Sequence, residues 1–576
     1  MFRTLSKSSP HHDFNGQRMT RGWLLQRLAV CANVLAIAPA LAGPLDTQVN
    51  RWRIEASRMS PADQAQLIEP ARAGAKQAIY QLFERMLRQG PKDDAPSRAL
   101  GEAVPRLAAQ SDALGQLMLC HLQLHGLAGQ ARNLDAGLAN CRLAADAGLA
   151  AAMTALGTIH RDGTVNLPDL EEAIRWFRQG AEAGDAQAMV NLAAMLLEGR
   201  GTQPDEAQAV RWYRAAAALG DDAGLMAMGW MYQTGRGMPQ DQALALDWYR
   251  KAADAGNANA LTTLAGMYWD GHGVARDQAR ALALHRQAAE NGSARSMYAM
   301  AVFHAAGVGV ARDDALSLVW TRAAADRLHP PAMTRMGQLY EWGRGVERDA
   351  AKAVGWYALA AWAGDTAAMT NLAVMLKQGT GIKQDVREAV NWCRKAAQAG
   401  DARGLYCLAL AQESGEGGTA REAAAALQAL RQAADKGWPE AEHELGLVYL
   451  SGRLGVDKDA KVAFHWVQQA VAHEHVEAYV TLGYLYQSGQ GVTRDDAQAF
   501  RWFTRSANAE SASGMYNLGT MHENGHAPTG KDMKAALAWY ERAASHGFEP
   551  AIARLAELSR QSNLGPQVEP AATRKH

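Results

Sequence analysis

Residues Gly525-His-Ala-Pro-Thr-Gly530-Lys531-Asp532 nearly spell a phosphate-binding loop. That chemistry needs Ser or Thr after the lysine to hold magnesium, and a strand leading into the loop. Asp532 stands in the hydroxyl's place and the preceding segment has helical periodicity, so nucleotide binding is not assigned there. His121 and His125 fall on one helix face with Cys120 beside them, three potential metal ligands. A structural site usually takes four, and no fourth is found, so helix histidines are the simpler reading. His473-Glu474-His475 lacks the H-E-x-x-H spacing of zinc hydrolases and falls at a turn. No G-x-S-x-G elbow and no convincing Ser/His/Asp or Cys/His grouping occurs. Catalytic, cofactor-binding and metal-ligating residues are accordingly assigned to none.

Residues 1–42 read as a secretory signal. Arg18, Arg21 and Arg27 form a basic region, Leu28 to Ala38 an apolar one, and Pro39-Ala40-Leu41-Ala42 a cleavage site with small residues, cut after Ala42. The stretch before Met19 is long for such a signal, which raises Met19 as an alternative start. An uncleaved amphipathic N-terminus of a cytoplasmic adaptor is the alternative. Cleavage would leave Cys120, Cys141, Cys393 and Cys407, an even number that in an exported chain permits two disulfides in three connectivities. Four buried thiols would be the alternative.

The whole chain of 576 residues carries 59 Lys+Arg against 59 Asp+Glu, without the basic excess that phosphate-backbone binding usually requires, so no nucleic acid partner is expected. No apolar run beyond the N-terminus reaches the roughly 18 residues of a membrane span. A hydrophobic content of 48%, dominated by alanine, suffices for an extensive core.

The elements that position these residues come from an internal repeat. Aromatic pairs recur as Trp176-Phe177, Trp212-Tyr213, Trp248-Tyr249, Trp356-Tyr357, Trp502-Phe503 and Trp539-Tyr540, on a period of about 36 residues. About twenty residues before most of these pairs lies a Leu-Gly or Met-Gly, as in Leu156-Gly157 and Met228-Gly229, and several other units have Ala in place of that glycine. A G-x-G follows seven residues after the leucine (Gly199/Gly201, Gly235/Gly237), and four residues on comes an aspartate (Asp205, Asp241). The pattern predicts a helix–turn–helix. Helix A carries an apolar stripe (Ala188, Leu192, Leu196), the first glycine ends it in a left-handed conformation, and the aspartate caps helix B. Gly220-Asp221 or Gly256-Asn257 then closes helix B and caps the next helix A. Single hairpins have too little interior to stand alone, so they must stack.

This pattern closely resembles the Sel-1-like repeat family, relatives of tetratricopeptide repeats, strongly over 150–548 and weakly over 75–149. The resemblance implies an all-α, right-handed superhelical solenoid of about 11 clear and 2 degenerate repeats, with an extended concave face for a protein or peptide partner. Residues 43–74 are expected to form a helical cap, 549–560 a closing helix, and 561–576 a disordered tail. Secreted cysteine-rich members of the family staple helices with disulfides, at a different spacing. In the repeat register Cys120 falls in the helix-A leucine column and Cys141 in the second aromatic column of helix B. Cys393 holds that same helix-B column and Cys407 precedes the next helix-A leucine, which favours Cys120–Cys141 and Cys393–Cys407.

The repeated tryptophans read as core by periodicity. Four others stand outside their column, Trp230, Trp269, Trp342 and Trp362, and are candidate binding hot spots, or else local repacking. The resemblance implies a non-enzymatic scaffold or adaptor of the bacterial cell envelope, periplasmic or secreted, with no cofactor. Its alternatives are a cell-wall enzyme acting on β-lactams or peptidoglycan fragments, as in cysteine-rich relatives, and a cytoplasmic adaptor.

Overall fold

A computed structural model describes residues 65–89 and 94–562. The signal reading at 1–42, with Met19 and Cys31, lies outside the described residues, as do most of 43–74 and nearly all of the tail. Among the described residues are 28 α-helices, one 3₁₀ turn and no strand. The first helices are Ile68–Arg72, Lys76–Gln89 and Ala95–Ala109; the last is Glu549–Ser562. Between them run helical hairpins, as the repeat pattern requires. The chain forms two compact units, one ending at Ala332 and one beginning at Met333.

One hairpin shows why the sequence folds this way. Helix A, Ala186–Glu198, buries Ala188, Leu192 and Leu196 at 0%, 0% and 2% exposure, a stripe four residues apart facing inward. Each buried leucine contributes on the order of 2 kcal/mol. Gly199 ends the helix at φ +67°, a conformation a β-carbon would oppose. Asp205 then accepts the Gln208 amide at 2.9 Å and starts helix B, Glu206–Ala218. The second junction works likewise: Gly220 has φ +78°, and Asp221 accepts the Gly224 amide at 2.7 Å to start Asp222–Thr234.

Two glycines are fixed by packing as well as by turn geometry. A β-carbon on Gly157 would lie 2.5 Å from the Phe177 ring, so the Leu-Gly glycine is the seat of the paired helix's second aromatic. A β-carbon on Gly201, the second glycine of its G-x-G, would lie 2.7 Å from the Leu170 carbonyl, at the start of the preceding repeat's helix B. The core aromatics are these second members: Phe177, Tyr249, Tyr357, Phe503 and Tyr540 are at most 1% exposed. The tryptophans before them differ from the expectation. Trp176, Trp212, Trp248 and Trp539 are only half-buried, because one residue earlier lies about 100° round the helix, at the edge of the packed face. There some take a cation one turn on: Lys251 lies 4.5 Å from the Trp248 ring centre and Arg542 5.6 Å from Trp539, while Trp392 is core as expected, 3% exposed with Lys395 3.7 Å from its centre.

In the second unit one hairpin departs from the pattern. Helices Ala402–Ser414 and Ala423–Asp435 are joined through a 3₁₀ turn, Glu416–Gly418, and Glu422 starts the second helix without a side-chain cap.

Candidate functional site

Counting from the first residue of each helix A, the ninth position turns away from the paired helix B. In the first unit it holds His121, Thr158, Ala194, Trp230, Gly266 and Val302; in the second, Gln338, Val374, Leu410, Leu447, Tyr484 and Thr520. Val302, Val374 and Tyr484 are 46%, 38% and 50% exposed, and Gly266 at the same position has open space where a β-carbon would stand. At these positions the side chain meets solvent, whereas His121 in the same column is buried.

The four off-column tryptophans occupy different settings. Trp230, on the ninth position, is half-buried with the Arg236 guanidinium 5.6 Å from its ring centre. Trp269, also half-buried, packs on Phe303 of the following helix A, Ala294–Ala306, at 4.9 Å. Trp342 ends helix A Pro330–Trp342, 49% exposed beneath Arg344 at 4.9 Å. Trp362 ends a helix B, Ala350–Trp362, 39% exposed and edge-on to Trp392 at 5.2 Å, with Lys395 Nζ 4.7 Å from its centre. Three of the four thus stand on helices A and the fourth on a helix B.

The cysteines stand in two pairs at disulfide distance. Cys120 and Cys141 have Cα atoms 5.3 Å apart and join helices A and B of one hairpin, Ala113–His125 and Leu134–Asp146. Cys393 and Cys407, at 5.8 Å, join helix B Val386–Gln398 to the next helix A. The column of Cys120 needs correction. From the capping residue Asp112 it stands one place beyond the leucine position, which Leu119 holds, and so occupies the glycine column. A one-residue insertion in this repeat defeats a fixed period of 36. The shift explains the pairing: where other repeats set a glycine against the second aromatic, this one sets Cys120 against Cys141.

Beside this pair lies a pocket of ≈ 50 Å³ that the sequence did not reveal. Its apolar wall includes Leu117, Leu124, Ala155 and Ile159; its polar lining includes His121, Thr154, Thr158, Asp185 and Gln187. Asp185 caps helix A Ala186–Glu198 and is fully buried. Its Oδ2 accepts the Ala188 amide at 3.1 Å and the Thr154 hydroxyl, while Oδ1 has no partner. Burial pushes its carboxyl up to about 6, against the lowering by Thr154 and the amides. His121, 4% exposed, sits between Phe83, edge-on at 5.6 Å, and His125 at 4.7 Å. Its Nε2 is also unpartnered, and burial, helped by His125, holds its pKa down at about 3, so the ring is neutral. His125 is lowered too, by burial and then by Arg132. With Cys120 drawn to Cys141, the trio of potential ligands loses its thiolate, and no metal-capable group of three occurs among the described residues.

The pocket escaped the sequence because Asp185 reads as one cap among many and His121 lies in a weak repeat.

Comparison with known proteins places this geometry. The Sel1 repeat model matches residues 113–149, 150–185, 186–221, 223–257, 258–293, 294–327, 330–365, 366–401, 439–475, 476–511 and 512–548. It passes over the departing hairpin at 402–438. No curated protein matches the chain. Among solved structures, a protective antigen present in uropathogenic Escherichia coli strains, displaying an SLR fold, is 29% identical with a TM-score of 0.50, covering 82% of this chain and 99% of its own. A Sel1 repeat protein from Oxalobacter formigenes is 30% identical with a TM-score of 0.38, covering 56% of this chain and 92% of its own.

Proposed function

The chain belongs to the Sel1 repeat family, and on that premise we propose that it is a non-enzymatic scaffold of the bacterial cell envelope that binds a protein or peptide on its helix-A face. Repeat solenoids of this kind generally mediate protein–protein interaction, through rigid helices that lose little freedom on binding. The observation that carries the reading is the ninth column, where Val302 in the first unit and Val374 and Tyr484 in the second stand exposed to solvent. Trp230, Trp269 and Trp342 supply aromatic anchors on the same set of helices, the residue type most enriched at binding hot spots. Trp362 would extend the surface onto the helix-B side.

Export is supported by the signal-like residues 1–42 and by two cysteine pairs at disulfide distance, an arrangement suited to an oxidising compartment. No described helix is long and apolar enough to cross a membrane. The test is a photo-crosslinking residue placed at Tyr484 and, separately, on the helix-B side at Arg394, in the envelope of the native host. A defined partner captured at Tyr484 and not at Arg394 supports the reading; equal labelling at both, or none, removes it. N-terminal sequencing of the same material should begin at Gly43, and a cytoplasmic chain retaining residues 1–42 would rule out export.

A further inference from the structure

The seventh position of helix B holds a tryptophan in most repeats, but on helix B Gln278–Glu290 it holds Leu284. In the hairpin before it, Trp248 takes that position and packs against a core that includes Leu225 and Met228 of its own helix A and Ala217 of the preceding helix B. One repeat on, Leu261, Leu264 and Ala253 stand in the places of Leu225, Met228 and Ala217, and with Leu284 they line a cavity of ≈ 320 Å³. We propose that this cavity receives the tryptophan side chain of a partner protein, seated where the neighbouring repeat seats its own indole. The site lies beyond the ninth-column face and does not rest on it, since Leu261, Leu264 and Tyr268 are the fourth, seventh and eleventh residues of helix A and turn toward the helices B.

The occupant follows from what the same groove holds one repeat earlier. Leucine lacks the flat ring of tryptophan, while the hairpin around it keeps the form of its neighbours. Helix A Ala258–Asp270 ends at Gly271 with φ +78°, and Asp277 caps helix B by accepting the Arg280 amide at 2.9 Å. The vacancy therefore comes from one side chain, in a groove otherwise built to face an indole. Leu261 and Leu264, 2% and 3% exposed, give it an apolar floor. Leu284 is half-buried and Arg250 and Arg280 are exposed at the rim, so a visitor enters from the helix-B side. The rim favours an aromatic over an aliphatic side chain. Arg250 Nη2 donates to the Tyr268 hydroxyl at 3.1 Å, and the Arg280 guanidinium lies 4.6 Å from the Tyr268 ring centre, so one buried ring holds both cations at the mouth. Guanidinium groups stack on aromatic faces, and on indole best of all. Trp248 has Lys251 beside it; here Gln287 stands in the place of that lysine, and Arg280, in the place of Leu244, brings the charge instead. Asp254 also lines the cavity and Asp247 pairs with Arg250 at 3.1 Å, so the rim carries both signs and suits an uncharged ring.

The experiment uses the full chain with methyl-labelled leucines and follows Leu264 during titration with the capped tripeptide acetyl-Gly-Trp-Gly-amide, its leucine counterpart, and free indole. Saturable ring-current shifts of the Leu264 methyls are expected with the tryptophan peptide, with binding of the leucine peptide roughly fivefold weaker or less. Leu284→Trp supplies the ring from within the chain, so it should abolish the response and leave the melting midpoint unchanged or higher. Arg280→Gln, at the exposed rim, should leave the midpoint unchanged and weaken the tryptophan peptide roughly two- to fivefold, the factor that a solvent-exposed cation–π contact supplies. A Leu284→Trp chain that still binds the peptide, or that melts several degrees lower, would overturn the proposal, because the cavity would then not be the place of an indole. Equal binding of the leucine peptide, no saturable shift at Leu264, or binding of free indole without the tryptophan peptide would overturn it as well. The readout does not involve Tyr484, so this site and the ninth-column face can each fail alone.

Discussion

Thr154 with Asp185 and Thr334 with Asp365 are the same device in two places. In each, the threonine at the fifth position of a helix A donates its hydroxyl to the aspartate that caps the next helix A. Thr334 reaches Asp365 Oδ1 at 2.9 Å, and that oxygen also accepts the Ala368 amide at 2.8 Å. Asp365 is half-exposed, so water can serve its other oxygen. Asp185 is fully buried, and its other oxygen has neither a partner nor access to solvent. A strut shared between neighbouring hairpins thus becomes a charged acceptor when the preceding repeat roofs it over. A third version, Thr262 with the hydroxyls of Ser293 and Ser296 at 2.9 and 2.7 Å, carries no charge at all.

The largest way to break this contrast is to remove the support behind the pocket. Cys120→Ala with Cys141→Ala should cost about 2–4 kcal/mol of unfolding free energy, read from denaturant titration, and disturb the pocket. The corresponding pair Cys393→Ala and Cys407→Ala should cost a similar amount and leave the pocket intact. Thiol titration of the unreduced, denatured protein, expected to find no free cysteine, checks the premise.

Charge removal sharpens the contrast next. Asp185 titrates near 6 folded against 3.8 unfolded, so between those values the native state binds the extra proton. Its contribution therefore favours folding below about pH 4 and declines as pH rises through about 6. His121, held near 3 against an ordinary 6.5, acts in the opposite sense, contributing above 6.5 and losing that contribution as pH falls. Comparing Asp185→Asn with wild type isolates the carboxylate. The variant should be more stable by about 2–3 kcal/mol at pH 8, with the advantage gone at pH 4. Asp365→Asn should show no such gain.

Smaller effects follow from the donors. Thr154→Val strips a bond from a buried carboxylate and should cost about 1–3 kcal/mol, against less for Thr334→Val, where solvent replaces the hydroxyl. At the bottom of the range, Tyr484→Ala should leave the thermal midpoint nearly unchanged, within about 0.5 kcal/mol, while reducing capture of the partner.

Much of the scaffold could be read from the chain because its caps and turns are local: Asp205, Gly199 and Gly220 act on amides and dihedrals within a few residues. Trp176 and Phe177 show where locality fails. Both are large and apolar, and the register of helix B against its paired helix decides which of them is core. Cys120 fails for a related reason, since one inserted residue moves it to the next column without disturbing either helix. Asp185 is the deepest case. His121 and Leu117, which line the pocket with it, belong to the preceding repeat, and nothing in its own repeat announces them.

The contact of Gly201 with Leu170 has a consequence for how such a chain can change. One atom's width serves as both the bend inside a hairpin and the seam with its predecessor, so a bulkier residue there faults two modules at once. Lengthening or shortening the protein is therefore easiest by whole hairpins, spliced where each seam meets another of identical shape.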